Sequence, residues 1–278
     1  MLVRYEAPAG ESWGVLEDGS VFPLDRDLAA LLREPLDKSR ALLARRDGAP
    51  LALDELRLLA PVDRQEIWAA GVTYERSRAG RVEESGERDL YDHVYRSDRP
   101  ELFFKCTAER AVGEGEAIGI RADSTWDVPE PEVGLVLTSR LELFGFTIGD
   151  DVSSRSIEGD NALYLPQAKV YERSCAIGPA IVPRWAVGDG PFEIELEIER
   201  DGTVAFQEST STARMKRGFD ELARWLGRAL SFPHGALLLT GTGIVPASSF
   251  TLRAGDTVTV RVPGLGELRN PVITIGGT

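Results

Sequence analysis

The chain has 278 residues, a formal net charge of −13 and 42% hydrophobic residues, a length for one large globular domain or one domain with a small appendage. No basic block is present, which with the acidic balance argues against nucleic acid and anionic membrane surfaces as partners. No apolar run approaches the roughly 20 residues of a membrane-spanning helix.

Met1 to Glu6 lacks the apolar core of a leader peptide, so a cytoplasmic location is expected. Trp13 to Leu16 and Val21 to Leu24 flank an Asp18-Gly19 turn and read as a hairpin. Asp27 to Arg46 reads as helical, split by Pro35. With Leu51 to Pro61 as connection, this gives a small N-terminal domain, residues 1–62, before a main body, 63–278. Glu66 to Val72 reads as a buried strand. Residues 73–100 are polar and charged, with the character of a helix-containing lid. Glu101 to Lys105 and Ala117 to Arg121 read as further strands.

Glu130-Pro131-Glu132 opens the apolar run Val133 to Leu137, and Leu143 to Ile148 reads as its antiparallel partner through a turn at Thr138 to Leu141. Residues i and i+2 of a strand share a face, so the two glutamates point the same way. That register brings residue 130 to the level of Asp151. Three converging carboxylates fit a hard cation such as Mg²⁺, and the same spacing fits a solvated acidic edge equally well. Further on, Phe192 to Glu199 alternates apolar with glutamate, a strand with one wet face. Asp201-Gly202 turns it into Thr203 to Glu208. Thr210 to Leu230 carries the clearest helical stripe, and Ala236 to Thr240, Asp256 to Val262 and Gly266 to Ile275 close the chain as strands. Strands dominate without βαβ alternation, so the fold class is α+β, mainly β.

The two cysteines, Cys106 and Cys175, read as buried apolar residues in a reducing compartment. His93 and His234 are the only histidines; both read as surface or packing residues, which leaves acid–base work to carboxylates and lysine. Glu101 enters an aromatic strand, where it reads either as a desolvated base or as a surface ion-pair partner. Lys169 lies in the apolar segment Tyr164 to Tyr171; it reads as a partner of an anionic substrate or the carboxylates, or as a solvated lysine. Gly241-Thr242-Gly243 follows the strand Leu237 to Leu239 and can offer N–H groups and a hydroxyl to a carboxylate.

In this order these pieces resemble the fumarylacetoacetate hydrolase superfamily. Glu130-Pro131-Glu132 matches its Glu-x-Glu pair, Asp150-Asp151-Val152-Ser153-Ser154-Arg155 its Asn/Asp-Asp-x-Ser-Ala-Arg segment, and Lys169 its lysine. Leu239-Thr240-Gly241-Thr242-Gly243 and Gly264-Leu265-Gly266-Glu267-Leu268-Arg269-Asn270-Pro271 match the later motifs. The resemblance covers about residues 64–278. It implies a mixed β-roll catalytic domain, Mg²⁺ (with Mn²⁺ or Ca²⁺ as alternatives) on Glu130, Glu132 and Asp151, and a homodimer or homotetramer.

Within the superfamily the likeness is to 2-keto-3-deoxy-D-arabinonate dehydratase-like members. It rests on Gly71 to Arg78, on Val94-Tyr95 ahead of Arg99 to Lys105, and on Asn161 to Lys169. Hydrolases of the superfamily carry a lid histidine three residues after the tyrosine of Gly-x-Asn-Tyr. Here that tyrosine is Tyr74, Thr73 replaces the asparagine and Ser77 stands at the histidine position. The resemblance therefore implies dehydration of a 2-keto-3-deoxy sugar acid through a metal-stabilised enolate. Glu101 and Lys169 would be catalytic, with Thr242, Gly241, Ser77 and Arg78 toward the substrate, and Arg155 as a further candidate partner of substrate or lid carboxylates. The alternative on the same scaffold is an acylpyruvate or 2,4-diketo acid C–C hydrolase; a third reading is a non-catalytic 2-oxo acid binder.

Overall fold

The computed structural model describes residues 1–8, 10–46, 48–77 and 88–277, with the backbone alone for 88–91. Two sheets dominate. The larger has eleven strands, in the order Leu51–Ala52, Ser20–Leu24, Gly10–Glu17, Leu2–Ala7, Cys175–Pro183, Leu143–Asp151, Pro131–Leu137, Ala236–Leu239, Glu66–Gly71, Glu101–Thr107, with Leu58–Leu59 also on Leu2–Ala7. The smaller runs Thr203–Ser211, Glu193–Arg200, Thr257–Val262, Gly266–Ile275, Ile118–Arg121. Ala236–Leu239 pairs parallel to Glu66–Gly71, and Gly266–Ile275 parallel to Ile118–Arg121, so both sheets are mixed.

The central strands Pro131–Leu137 and Leu143–Asp151 are buried along their whole length because both faces are covered. On one face, Leu135, Phe146 and Ile148 pack with Ile194, Leu196, Val258 and Leu268 of the smaller sheet. On the other, Phe144, Ile177, Leu237 and Leu239 pack with Leu2, Trp13, Leu28, Leu31 and Leu32 of the first sixty residues. That N-terminal segment also joins by backbone pairing, Leu2 opposite Ile181. Its helical stretch is divided at Pro35, into Leu28–Arg33 and Leu36–Leu43.

The register at the centre follows the expected pattern. Pro131 lies opposite Asp150, the Asp151 N–H donates to the Glu130 carbonyl at 3.0 Å, and a bulge at Val136/Leu137 absorbs the offset. Glu193–Arg200 alternates as read, with Ile194, Leu196 and Ile198 inward. The long helix over Thr210 to Leu230 is a correction. Thr210 and Ser211 end a strand paired with Ile194 and Glu193, Thr212–Arg214 is a single 3₁₀ turn, and the α-helix spans only Phe219–Leu226. The hydroxyl-bearing run Ser209-Thr210-Ser211-Thr212 favours the strand and turn, and Gly218 and Gly227 bound the helix.

Candidate functional site

Glu130 precedes the strand Pro131–Leu137, Glu132 is its second residue and Asp151 ends the neighbouring strand. Their exposures are 5%, 1% and 1%, and one oxygen from each lies within 4.8 Å of the others. Burial, with Asp151 and Glu130 beside it, pushes the Glu132 carboxyl well above the usual carboxylate range. Three carboxylates converging oxygens this closely offer the ligand chemistry of Mg²⁺, Mn²⁺ or Ca²⁺. The cluster therefore fits such an ion on its own residues.

Cations back this cluster on one side. Glu130 Oε1 accepts from Lys169 Nζ at 2.9 Å and Ser153 Oγ at 2.9 Å, and Arg155 Nη2 lies 2.9 Å away. Lys169 Nζ also donates to Asp151 Oδ2 at 3.1 Å and to Ser153 Oγ at 2.5 Å. It ends the short helix Leu165–Lys169, started by Pro166, and lies 5.5 Å from the centroid of the Phe103 ring. Asp151 Oδ1 meets the ammonium of Lys105. Glu132 Oε2 accepts the Gly241 N–H at 2.5 Å. Gly241 has φ +89°, and a Cβ there would come within 2.0 Å of Thr73 Oγ1, which itself donates to the Thr240 carbonyl at 2.6 Å. The glycine is what lets the turn reach the carboxylate.

Glu101 opens the strand Glu101–Thr107 and pairs with Gly71. Its carboxylate lies over that glycine, where a Cβ would come 2.1 Å from Oε2. It lines a cleft of about 510 Å³ with His93, Pro100, Leu165 and Glu158, the last of which is 3.8 Å from Arg155. Leu165 begins the helix that Lys169 ends; Lys169 itself is buried and does not line the cleft.

Thr242 is buried, and its hydroxyl accepts the Ile244 N–H at 3.1 Å within the turn. The Ser77 hydroxyl is closed on its own turn, donating to the Tyr74 carbonyl at 2.8 Å and accepting its N–H at 3.2 Å. Gly241 gives its N–H to a metal-side carboxylate. Arg78 lies outside the described residues. Lys105 had no role in the sequence reading, where the available signal was a lysine inside the apolar run Leu102 to Cys106; Ser153 and Arg155 stood in the matched segment with Asp151, and their contacts to Glu130 were not foreseen. His93, read as a surface residue, is exposed and also lines the cleft. Cys106 and Cys175 are buried free thiols.

The family model described as fumarylacetoacetate (FAA) hydrolase C-terminal matches residues 66–273, and one described as Rv2993c-like, N-terminal matches residues 1–61. A probable 2-keto-3-deoxyxylonate dehydratase of Haloferax volcanii is 49% identical over 251 residues, covering 89% of this chain and 86% of that protein. A 2-dehydro-3-deoxy-D-arabinonate dehydratase of Saccharolobus solfataricus is 38% identical over 274 residues, covering 94% and 92%. A solved structure of 2-keto-3-deoxy-D-arabinonate dehydratase complexed with magnesium and 2,5-dioxopentanoate superposes with a TM-score of 0.87 at 33% identity, covering 99% of each chain.

Proposed function

The chain belongs to the fumarylacetoacetate hydrolase family, and we propose that on this scaffold it is a hydro-lyase that removes water from a 2-keto-3-deoxy sugar acid. For 2-keto-3-deoxy-D-arabinonate the product is 2-oxoglutarate semialdehyde. The observation that carries the reading is Glu101, held over Gly71 in a cleft that reaches the acidic cluster through Glu158 and Arg155. The chain-long identity with two dehydratases supports it.

Glu130, Glu132 and Asp151 would hold Mg²⁺, which when bound supplies Lewis-acid polarisation of the 2-keto group. Glu101 takes the C3 proton, directly or through a water. Lys169, a triple donor among the carboxylates, faces the developing negative charge or passes a proton to the departing C4 hydroxyl, which leaves as water. Tautomerisation of the remaining double bond then gives the aldehyde. Thr242 and the lid, part of which lies outside the described residues, complete the substrate side. Ser77, at the position of the hydrolases' lid histidine, has its hydroxyl committed to the Tyr74 backbone and offers no base there.

The division into a small N-terminal domain, 1–62, and a catalytic domain, 63–278, belongs to the same reading. So do a homodimer or homotetramer and a cytoplasmic location, the latter supported by two free thiols. Among the described residues no helix is long and apolar enough to cross a membrane.

The test is incubation of purified protein and Mg²⁺ with 2-keto-3-deoxy-D-arabinonate, 2-keto-3-deoxyxylonate, acylpyruvates and 2,4-diketo acids. Aldehyde formed from the sugar acids is the expected outcome. Consumption of the diketo acids alone, with carboxylate release, would replace the dehydratase by a C–C hydrolase. Binding of 2-oxo acids without turnover would leave a non-catalytic binder.

A further inference from the structure

Lys105 lies at a break in strand pairing. Cys106 is opposite Ile67 and Phe104 is opposite Trp68, so the partner strand has no residue for Lys105 itself. A bulge of this kind re-aims one side chain and occurs often beside active sites. Here it drives a lysine into the protein, with 0% exposure. The ammonium donates to the Val152 carbonyl at 3.0 Å and the Lys169 carbonyl at 2.6 Å, and it meets Asp151 Oδ1. These are three groups on two segments. Asp151 and Val152 belong to the end of a central strand, while Lys169 ends the helix that brings the other buried lysine. The Ser174 hydroxyl donates to the same Lys169 carbonyl at 2.8 Å. A buried lysine with three oxygen partners is costly to dehydrate unless it is used, and none of its three contacts faces the cleft that Glu101 lines.

We propose that Lys105 is the positioning residue of this centre: its single ammonium holds Asp151 by Oδ1 and carries the carbonyl of Lys169, fixing the third carboxylate and the lysine in one frame. The inference rests on the reading of Glu130, Glu132 and Asp151 as metal ligands and of Lys169 as the catalytic lysine. Lys169 Nζ occupies Asp151 Oδ2, so the two lysines divide the oxygens of one carboxylate. Lys105 keeps Asp151 from rotating when Lys169 shifts toward a substrate. Groups of this kind behind a metal ligand are worth 10- to 100-fold in affinity or activity.

Lys105→Met keeps the stem and removes the ammonium. The expected result is a loss of about 10-fold or more in Mn²⁺ affinity, read by paramagnetic resonance of free Mn²⁺. At saturating Mg²⁺, kcat should fall by a further ~10- to 100-fold with KM nearly unchanged, because Lys169 has lost its frame. Lys105→Gln, which keeps a donor, should lie between Met and the parent. Folded Met protein with parental Mn²⁺ affinity and kcat would overturn the proposal, even with a lowered melting temperature. If neither variant folds, crystals of the parent with and without Mn²⁺ decide it: Lys105 Nζ stays on Asp151 Oδ1 in both, or the proposal fails. Mn²⁺ binding and these structures need no turnover, so a wrong substrate assignment would leave them unchanged and would show only in the substrate panel.

Discussion

At residue scale Glu101, the proposed base, is placed by what its neighbour lacks. A methyl group on Gly71 would fall on the Glu101 carboxylate. Gly71→Ala is expected to leave Mn²⁺ affinity intact and to lower kcat by about 100-fold, the usual effect of moving a reacting group by an ångström. Glu101→Gln should likewise keep the metal and lose ~10²- to 10⁴-fold in kcat, whereas Glu132→Gln should lose metal affinity and activity together. Titration calorimetry beside steady-state rates separates Glu132→Gln from the other two. Asp150 offers a different measurement. Burial raises its carboxyl from an ordinary 3.8 to about 7, and its Oδ1 accepts the Glu130 N–H at 2.8 Å. The folded protein then holds a proton there that the unfolded chain has released. That stabilisation is complete below about pH 4 and is lost as pH rises toward 7. Asp150→Asn keeps the acceptor and removes the loss, so metal-free variant should exceed the parent by ~1–3 kcal/mol at pH 8 and show no advantage at pH 4. Denaturant curves at the two pH values check this. Glu130, Glu132, Asp151 and Lys169 were legible because each stands in a motif. Ser153 and Arg155 stand in the same motif as Asp151, but their contacts with Glu130 came only with the fold, and Lys105 stands in no motif.

At the scale of elements, the alternating strand Glu193–Arg200 and the pairing of Pro131–Leu137 with Leu143–Asp151 were readable from hydrophobic period. The register around Asp151 followed from the turn length. The bulge at Lys105 was not readable, since nothing in Phe104-Lys105-Cys106 marks where the partner strand skips a residue. The stretch from Thr210 failed for a related reason. Its stripe Phe219, Leu222, Ala223, Leu226 is real, but the residues before Gly218 are claimed by pairing with Glu193 and Ile194. What remains is a two-turn helix, too short to hold itself in water. It persists by burying Leu222 and Leu226 in the main core. Leu222→Ala is therefore expected to cost ~2–5 kcal/mol in equilibrium unfolding. Its kcat/KM should stay close to the parent's, because the helix contributes none of the groups around the acidic cluster.

At the scale of the whole molecule, the succession of strand patterns predicted a mainly β body behind a small N-terminal segment, and that much is in the fold. The joint between them was beyond the sequence. Leu2 and Ile181 have no shared motif, and their pairing exists only once both strands have formed. The consequence concerns self-association. Cys175–Pro183 runs beside the strand that ends in Asp151; on its other side Cys175 and Ile177 hydrogen-bond to Val112, and Ile181 is paired with Leu2. A chain begun at residue 63 would bare the strand edge at Ile181 together with Phe144, Ile177, Leu237 and Leu239, which pack with the first sixty residues. An unblocked, apolar strand edge is a template for another chain. Such a truncation should form large, concentration-dependent species in light scattering, and the separate 1–62 segment added back should reduce them. The N-terminal segment is thus a guard strand: it keeps the sheet that carries the acidic cluster from growing into its neighbour.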